Sequence, residues 1–416
     1  MDTKTTFEVG GTKIKALGPG EYYKYLGLEV GPAVGQAEPR RALAALIKDL
    51  GSLQKAPLKP QQKLWALKNV LIPKHQYTRV LGKTTKGILE RMDCEIRKFV
   101  KKALHLPKDT PNAGFYTRVC EGGLGVPRFT VLIPALKRGA LERLSKSHDE
   151  RVARIAEAML LTPSLTSKEL HEYANRTHKE HLYASADGRG LSEAEGSPPT
   201  HGWVDDGTLL MKGSTYVTAI MTRLGVANNK LRASRGRINA PVLCDLGCGR
   251  VETLGHILQS CPKLAPERTK RHDRVLSLLT NQLTKHEHHV LKEPSIRTPA
   301  GLRKPDVVVW DQRQSTVLDV QITSDSSLGD TLERAHGLKR TYYDVEDIRE
   351  WVRTRTGHSP VFTTLTINWR GVMATPSYMA LKTLGLTKRD IHLLTVRSIE
   401  GSVAALRSHR GLGGWG

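Results

Sequence analysis

The sequence predicts a multidomain α+β protein, with a helical N-terminal half, a small Cys/His unit and an α/β region at the C-terminal end. Three observations support this fold class. Helical periodicity dominates from about residue 38 to residue 182, three of the five cysteines lie within residues 244–261, and strand-like apolar runs mix with helices from about residue 290. With 416 residues the chain is long for one hydrophobic core, so we expect about two to four domains.

The chain carries a large excess of positive charge. Lys and Arg number 64 against 41 Asp and Glu, which gives a formal net charge of +23. Nucleic acid is the usual partner of such a surplus, because neutralising phosphates releases condensed counterions. A membrane-surface protein is the competing interpretation, but no apolar stretch approaches the roughly 20 residues of a spanning helix and no signal region is visible. We therefore expect nucleic acid as the partner, and neither a membrane nor a small-molecule substrate.

The N-terminal residues have the pattern of the end of a larger fold. Thr5–Lys15 is typical of a strand and a turn, and residues 22–28 of a short aromatic strand. Further along, Pro60 suits a first helical turn, leucines follow at helical spacing, and Pro73 is expected to close the segment.

The clearest helix predicted in this half follows Pro73. Its apolar stripe is Ile88, Met92, Ile96, Val100 and Ala103. Six basic residues lie largely off that stripe: Lys86, Arg91, Arg97, Lys98, Lys101 and Lys102. They form either a solvated face or a nucleic-acid contact, and the charge of the whole chain favours the contact.

Residues 184–202 are small, polar and proline-containing, so we expect a linker there. Beyond residue 290, Val307–Trp310, Ser315–Thr323 and Val361–Trp369 are predicted to be strands. Residues 328–350 and 387–399 are predicted to be helices, the second with Thr387 and Asp390 spaced as a capping pair.

A Cys/His motif follows the predicted linker. Cys244, Cys248, His256 and Cys261 have the spacing C-x3-C-x7-H-x4-C. Three thiolates and one imidazole can close a tetrahedral Zn²⁺ site and leave no position for water, so this zinc would be structural. The alternative is a chance cluster of buried cysteines with a core histidine. An odd number of cysteines without a signal region indicates a reducing compartment.

Basic residues bracket the Cys/His motif and can grip a phosphate backbone. The candidates for nucleic-acid binding are Lys230, Arg232, Arg235, Arg237, Lys270 and Arg271.

Two carboxylates in apolar strands form the second candidate site. Asp306 opens one predicted strand, and Asp319 lies in the middle of the next, 13 positions later. Burial of a carboxylate in an apolar strand is costly unless it meets a cation or hydrogen bonds. Both side chains can converge on one Mg²⁺, which prefers oxygen ligands and would activate a scissile phosphate.

This layout is similar to that of the PD-(D/E)-x-K nucleases, with one departure. Gln321 occupies the position of the lysine and cannot supply a positive charge. Ala335, Lys339 and Tyr343 share a face of the following helix, so Lys339 is a candidate substitute. Alternatively, the two aspartates merely terminate strands and Lys339 is a solvated charge. Glu293 is a weaker candidate for a third carboxylate.

Taken together, these features resemble the C-terminal part of the polyprotein of site-specific non-LTR retrotransposons that insert into ribosomal RNA genes. Tyr25-Leu26-Gly27 is similar to the last reverse-transcriptase segment, and residues 57–127, through Leu106-Pro107 and Gly122-Gly123-Leu124-Gly125, to the thumb and the linker after it. The Cys/His motif, Arg303-Lys304-Pro305-Asp306 with Asp319, and Lys339 with Tyr343 resemble the zinc knuckle and restriction-like endonuclease of that family.

The resemblance implies four regions and a function. The regions are the end of the polymerase palm (1–30), a helical thumb and linker (31–185), the zinc knuckle with basic flanks (200–275) and the endonuclease (276–416). The endonuclease would nick target DNA and so prime reverse transcription of the element RNA, in a nuclear or nucleolar location. We expect the polymerase aspartates to lie before Met1. The rival interpretations are a non-catalytic nucleic-acid-binding protein with a decayed nuclease fold, which Gln321 favours, and a fragment that only binds RNA and primer.

Overall fold

The computed structural model of the chain describes residues 7–14, 17–18, 21, 23–25, 28–30, 38–82, 84–161, 164–205, 210–325 and 330–413. It mixes helices and sheets, as the sequence predicts. The chain divides into two compact units. The first comprises Met1–Leu58, Gln62–Ala103 and Val126–Thr177, and the second Lys59–Gln61, Leu104–Gly125 and His178–Gly416.

The α-helices are α1 (Glu38–Lys55), α2 (Pro60–Ala66), α3 (Ile72–Leu81), α4 (Lys86–Ala103), α5 (Asn112–Tyr116), α6 (Phe129–Leu144), α7 (Glu150–Leu160), α8 (Ser167–Ala184), α9 (Gly213–Arg223), α10 (Lys230–Ala233), α11 (Ala265–Lys285), α12 (Thr331–Tyr343), α13 (Glu346–Thr356), α14 (Thr375–Thr383) and α15 (Lys388–Leu412). The strands are β1 (Phe7–Val9), β2 (Thr12–Ile14), β3 (Tyr23–Tyr25), β4 (Leu28–Val30), β5 (His289–Lys292), β6 (Ile296–Thr298), β7 (Gly301–Arg303), β8 (Val307–Trp310), β9 (Ser315–Thr323) and β10 (Pro360–Asn368). None of the described helices combines the length and the apolar character that crossing a bilayer requires.

The N-terminal strands form two antiparallel pairs, β1 with β2 and β3 with β4. The predicted strand and turn over Thr5–Lys15 correspond to β1 and β2, and the predicted aromatic strand to β3. Leu26 and Gly27 of the Tyr25-Leu26-Gly27 resemblance lie outside the described residues.

The helices of the first unit follow the predicted apolar pattern, with one correction. In α4, Met92, Ile96, Val100 and Ala103 are buried, so the predicted stripe is confirmed at these positions. Pro73 does not close the preceding helix. A five-residue π-helical segment, Leu67–Leu71, joins α2 to α3, and the proline lies in the first turn of α3, where its missing N–H is tolerated.

The predicted linker over residues 184–202 is instead part of the second unit. After α8 ends, three short 3-10 helices follow, Arg189–Leu191, Ala194–Gly196 and Pro198–Val204. Leu191, Ala194 and Trp203 are fully buried there. The prediction was wrong because it rested on the overall polarity of the segment. The few apolar side chains of the segment pack in a core with residues that are distant in sequence.

A four-stranded sheet organises the C-terminal part of the second unit, in the order β10-β9-β8-β5. The β9–β10 pair is parallel, and the other two pairs are antiparallel. The predicted strands at Val307–Trp310 and Ser315–Thr323 are confirmed residue for residue. The predicted helix over 328–350 is two helices, α12 and α13, and α15 begins with the predicted Thr387–Asp390 capping box.

The core of this region lies between the sheet and the helices α11, α14 and α15. Val307, Val309, Leu318, Val320 and Leu365 from the sheet meet apolar side chains of those helices. The opposite face packs against α13 through Val308, Val317 and Phe362. With both faces covered, the central strands become nearly continuous apolar runs. A carboxylate within them is therefore conspicuous.

Candidate active site and metal centre

Asp306 and Asp319 lie side by side on neighbouring strands. In the antiparallel pair of β8 and β9, Val307 is opposite Leu318. Asp306 directly precedes Val307 and Asp319 directly follows Leu318, so the register places the two carboxylates next to each other at one end of the pair. The sequence prediction that they converge is consistent with this geometry.

Asp306 is held by two groups from outside its own strand. The backbone N–H of Val320 donates to its Oδ2 at 2.6 Å, and His272 Nε2 lies 3.2 Å from the same oxygen. That imidazole comes from α11 and also lies 3.1 Å from the carbonyl oxygen of Val320. The hydrogen bond with Asp306 raises the pKa of His272 to about 9, against the opposing effect of burial. A cationic imidazole therefore adjoins the first carboxylate.

Asp319 is almost completely buried, with 3% of its surface exposed. Burial is the main cause that raises its pKa, and the negative charge of Asp306 adds to it. Lys339 Nζ lies 3.2 Å from Asp319 Oδ2 and acts in the opposite direction. This distance suits an ion pair, but the oxygen receives no hydrogen bond of normal geometry from the described residues. A buried oxygen is thus left with capacity for another ligand.

Helix α12 presents Lys339 and Tyr343 to the carboxylates, as the i, i+4 spacing predicts. The Tyr343 hydroxyl donates to the backbone carbonyl of Lys304 at 3.0 Å. Burial, followed by the negative charge of Asp319, raises the pKa of this hydroxyl, so the phenol stays protonated. Lys339 remains 41% exposed at its side chain, and its ammonium group is therefore accessible from solvent.

Gln321, at the position of the expected lysine, has a different set of contacts. Its Nε2 donates to the backbone carbonyl of Ala335 at 2.9 Å and to Thr366 Oγ1 at 2.7 Å. Both bonds are internal to the fold: the first reaches α12 one turn before Lys339, and the second crosses to β10. Gln321 therefore ties the strand of Asp319 to the helix of Lys339.

The arrangement fits a divalent cation bound by oxygen. Two adjacent carboxylates lie at one end of a strand pair, and Asp319 Oδ2 lacks a hydrogen-bond donor of normal geometry. Mg²⁺ is commonly bound through one or two carboxylates and completes its shell with water and phosphate oxygens. Glu293 is less well placed, because its side chain is exposed. Its backbone, at φ +49°, donates from N–H to the carbonyl oxygen of Asp306 at 2.8 Å.

The Cys/His motif forms a compact cluster. The ligand atoms of Cys244, Cys248, His256 and Cys261 all lie within 4.8 Å of one another. Cys244 Sγ is 4.0 Å from Cys261 Sγ, and Cys248 Sγ is 3.2 Å from His256 Nε2. These separations suit four ligands around one tetrahedral metal ion with bonds of about 2.0–2.3 Å.

Local backbone geometry explains how the spacing closes around this cluster. A bridge between Leu243 and Val251 makes a tight turn that carries the first two cysteines. Gly247 and Gly249 occupy left-handed conformations there, with φ of +69° and +72°. His256 is the first residue of a π-helical segment, His256–Ser260, and Cys261 directly follows that segment.

The electrostatics of the thiols differ within the cluster. Burial raises the pKa of Cys244 to about 12, whereas a hydrogen bond from the backbone N–H of Arg250 lowers the pKa of Cys248. His409 of α15 was not foreseen from the sequence. Its Nε2 lies 3.7 Å from Cys244 Sγ and 3.4 Å from Glu252 Oε2, and these three residues form a second group able to hold a metal. The Cys₃His set fits a closed zinc site better, because it supplies four ligands.

The predicted phosphate-contacting residues differ in accessibility. Arg271 is only 1% exposed and donates to Ser402 Oγ and Gln259 Oε1, so its prediction as a nucleic-acid contact was wrong. Its burial could not be predicted from the sequence, since its neighbours in α11 are polar or charged. Arg232 and Arg235 both pair with Asp187.

The other predicted phosphate contacts remain at the surface or partly so. Lys230 pairs with Asp245, and Lys270 with Glu267. Arg237 is exposed, and among the described residues no carboxylate lies within ion-pair distance of it.

His272 is a functional candidate that the sequence did not connect to the carboxylates. It lies 34 residues before Asp306, and no spacing rule relates the two positions. Only the packing of α11 on the sheet brings them together.

No protein-family profile matches the chain. Among curated proteins it is similar to Pol polyproteins of retrotransposable elements. A Pol polyprotein from a type-2 retrotransposable element of Drosophila melanogaster is 33% identical over 99% of this chain and 40% of its own length. An R2 Pol polyprotein of Nasonia vitripennis is 31% identical over 97% of the chain and 39% of its own length.

A third relative decides the family. An R2 Pol polyprotein of Popillia japonica is 31% identical over 76% of this chain and 72% of its own length. The chain belongs to the R2 Pol polyprotein family. It spans about two fifths of the length of the Drosophila and Nasonia R2 polyproteins. The resemblance drawn from the sequence is confirmed at the level of the family.

Proposed function

We propose that this chain is a Mg²⁺-dependent endonuclease that nicks DNA. The observation that carries the proposal is the meeting of Asp306, Asp319 and Lys339 at one edge of a largely apolar sheet. The carboxylates come from adjacent strands, and the lysine reaches Asp319 at 3.2 Å from a helix packed against them. Burying carboxylates in an apolar sheet is costly, so their presence there favours a functional use.

Each residue has a distinct role in this proposal. Asp306 and Asp319 hold the cation. The bound Mg²⁺ would polarise the scissile phosphate and help to generate hydroxide. Lys339, half-exposed beside Asp319, stabilises the negative charge that develops on the phosphate. His272 orients Asp306 through its contact with Oδ2. Tyr343 fixes the end of α12 through the carbonyl of Lys304.

The sheet supports a restriction-like nuclease of the PD-(D/E)-x-K type for residues 276–416. Its central strands carry the two aspartates, and helices cover both faces. We propose the remaining regions as the end of the palm (1–30), the thumb and linker (31–185) and the knuckle with its flanks (200–275).

We further propose that Cys244, Cys248, His256 and Cys261 bind one structural Zn²⁺. The resulting knuckle would bind nucleic acid through Lys230, Arg232, Arg235, Arg237 and Lys270. The partners are target DNA and the element RNA, because the related proteins are Pol polyproteins of retrotransposable elements. In the longer protein, the nick would supply the 3′ hydroxyl that primes reverse transcription in the nucleus.

A second candidate function is nucleic-acid binding without cleavage, in a nuclease fold that has lost its activity. Gln321 favours this alternative, because its amide is bonded to Ala335 and Thr366 and offers no positive charge. Lys339 opposes it, because a lysine on the neighbouring helix already contacts Asp319.

Nicking of supercoiled plasmid tests the proposal. The full chain is incubated with plasmid and Mg²⁺ or EDTA, next to the Asp306→Ala and Asp319→Ala variants. We expect Mg²⁺-dependent nicking that falls by several orders of magnitude in both variants, since each removes a cation ligand. DNA binding in buffer without Mg²⁺ or chelator should be largely unchanged.

Asp311→Ala is the matched control, because Asp311 follows β8 and its carboxylate accepts only backbone N–H groups of its own turn and faces His288. This variant should nick like the wild type. Nicking by Asp306→Ala at the wild-type rate would contradict the assignment. A wild type that folds and binds DNA but does not nick would favour the non-catalytic alternative.

A further inference from the structure

Arg303 and Tyr342 form a stacked pair beside the carboxylates. The Arg303 guanidinium carbon lies 4.1 Å from the centre of the Tyr342 ring, a short distance for a cation–π contact. Arg303 is the last residue of β7, and Tyr342 is the penultimate residue of α12. Neither side chain has a role in the proposed cleavage chemistry.

The pair adjoins the proposed catalytic groups. Lys339 Nζ lies 5.9 Å from the centre of the Tyr342 ring and 3.2 Å from Asp319 Oδ2. The ring of Tyr343 meets that of Tyr342 edge-on, at 4.9 Å between centres and 85° between planes. Because the Tyr343 hydroxyl is bonded to the carbonyl of Lys304, the Tyr342 ring rests on a fixed neighbour. A strand whose phosphate reached Lys339 would have its next nucleotide close to this ring.

The charge of Arg303 is not neutralised within the described part of the chain. No described carboxylate lies within 4.0 Å of its guanidinium, and its buried Nη1 has no hydrogen-bond partner there. Two other arginines of the same unit do have carboxylate partners: Arg370 pairs with Asp325 at 2.7 Å, and Arg232 with Asp109 at 2.8 Å. A buried guanidinium nitrogen without an acceptor is costly, and a phosphate oxygen would supply that acceptor.

The Tyr342 side chain can contact a ligand, since 49% of the residue is exposed. A base can stack on an aromatic ring only if one face of the base is open. Within a duplex, neighbouring bases cover both faces of each base. An unpaired N–H donor on Arg303 together with an exposed tyrosine therefore suits an unstacked nucleotide, with its phosphate on the cation and its base on the ring.

We propose that Arg303 and Tyr342 form a subsite for an unstacked DNA nucleotide next to the cleaved phosphodiester. The proposal rests on the proposed nuclease function for the identity of the neighbouring site. The DNA strand is then unstacked at the cleavage point. Arg303 and Tyr342 hold it there while Asp306 and Asp319 act on the adjoining phosphate.

Binding measured without cleavage tests the subsite. In buffer without Mg²⁺ or chelator, the full chain is titrated into two fluorescein-labelled DNAs, a blunt duplex and the same duplex ending in a single-stranded arm. We expect Tyr342→Leu to weaken binding of the armed duplex about tenfold, the loss typical of one stacked base. Binding of the blunt duplex should change little. Tyr342→Phe keeps the ring and should bind both DNAs like the wild type.

Arg303→Met should reproduce the loss on the armed duplex, because it removes the phosphate contact. Its matched control is Arg355→Met, since Arg355 stacks on Trp351 at 4.8 Å on another helix of the same unit. That variant should keep wild-type affinity for both DNAs. Equal binding of the armed duplex by Tyr342→Leu and the wild type would overturn the subsite.

Plasmid nicking with Mg²⁺ separates this proposal from the proposed function. If the wild type nicks and Tyr342→Leu nicks and binds equally well, only the subsite is wrong. If the wild type does not nick but the loss of armed-duplex binding appears, the subsite stands and the nuclease does not.

Discussion

Asp319 shows how strongly one residue depends on neighbours that lie far from it in sequence. A buried carboxylate loses hydration that is worth several kcal/mol, and a well-placed cation or hydrogen bonds must compensate for it. Lys339 provides that cation from α12, yet Asp319 Oδ2 still lacks a hydrogen-bond donor of normal geometry. The ion pair with Lys339 thus compensates for part of the burial of Asp319, but one carboxylate oxygen still lacks a hydrogen-bond donor of normal geometry. This is expected of a residue that binds a metal ion.

Cys248 offers the sharpest test of the zinc proposal at the same scale. Its Sγ lies 3.2 Å from His256 Nε2, and it is the least buried of the three cysteines in the cluster. We predict that Cys248→Ser loses the stoichiometric zinc of the wild type, measured by elemental analysis after dialysis, because a hydroxyl is a poor substitute for a thiolate. DNA binding in EDTA-free buffer should weaken along with it.

The control is Cys94→Ser, which changes a half-buried free cysteine of α4 outside the cluster. This variant should retain one zinc per chain. Equal zinc content in Cys248→Ser and the wild type would rule out the four-ligand site.

At the scale of elements, helix α12 owes its position at the site to a polar network. Gln321 of β9 donates to the Ala335 carbonyl, and His336 Nδ1 lies 2.8 Å from Thr364 Oγ1 and 3.1 Å from Ser377 Oγ. The helix is thereby bonded to β9 and, through β10, to α14. Four residues after Ala335, Lys339 reaches Asp319. The amide at the position of the expected lysine thus helps to position the lysine that replaces it.

We predict that Gln321→Met lowers the single-turnover nicking rate by about 10- to 100-fold, because small displacements of a catalytic group are costly. DNA affinity should not change, since Gln321 faces the helix. In a Lys339→Ala background, the same substitution should have little further effect, because it acts through Lys339. Single-turnover rates of the two single variants and the double variant measure this coupling.

Gln282→Met is the control, because Gln282 is a buried glutamine of α11 in the same unit. Its nicking rate should stay near that of the wild type. Fully additive losses in the double variant would show that Gln321 does not act through Lys339.

At the scale of the whole molecule, the net charge of +23 governs association with DNA. Several basic residues around the knuckle are already paired with carboxylates of the protein. The candidate contacts therefore differ in whether their positive charge is already neutralised within the protein. Arg237 is the candidate whose charge is free among the described residues. A phosphate contact by Arg237 should therefore release DNA counterions without first breaking an ion pair within the protein.

We predict that the logarithm of the DNA affinity falls linearly with the logarithm of salt concentration, and that Arg237→Gln reduces this slope by about 1, the effect of one lost phosphate contact. Fluorescence anisotropy over a salt series measures both slopes. The control, Arg397→Gln, removes an arginine of α15 that pairs with Glu400 at 2.9 Å and should leave the slope unchanged. Identical slopes for Arg237→Gln and the wild type would exclude Arg237 from the interface.

The sequence alone predicted the parts of this molecule that depend on local pattern. Strands β8 and β9 follow from apolar runs, the capping box of α15 from two residues three apart, and the Cys/His cluster from fixed ligand spacing. The placement of Lys339 and Tyr343 on one helix, four positions apart, also followed from helical periodicity. In each case the information lies within a few turns of helix or one strand pair.

Only the tertiary structure decided which distant residues meet. It brings His272 to Asp306 and His409 to Cys244, covers Arg271 with α15, and packs the knuckle against Trp369 in a shared core. It also makes residues 184–202 part of that unit instead of a linker. These outcomes depend on packing between elements far apart in the chain, for which a sequence has no fixed spacing, so no local period could predict them.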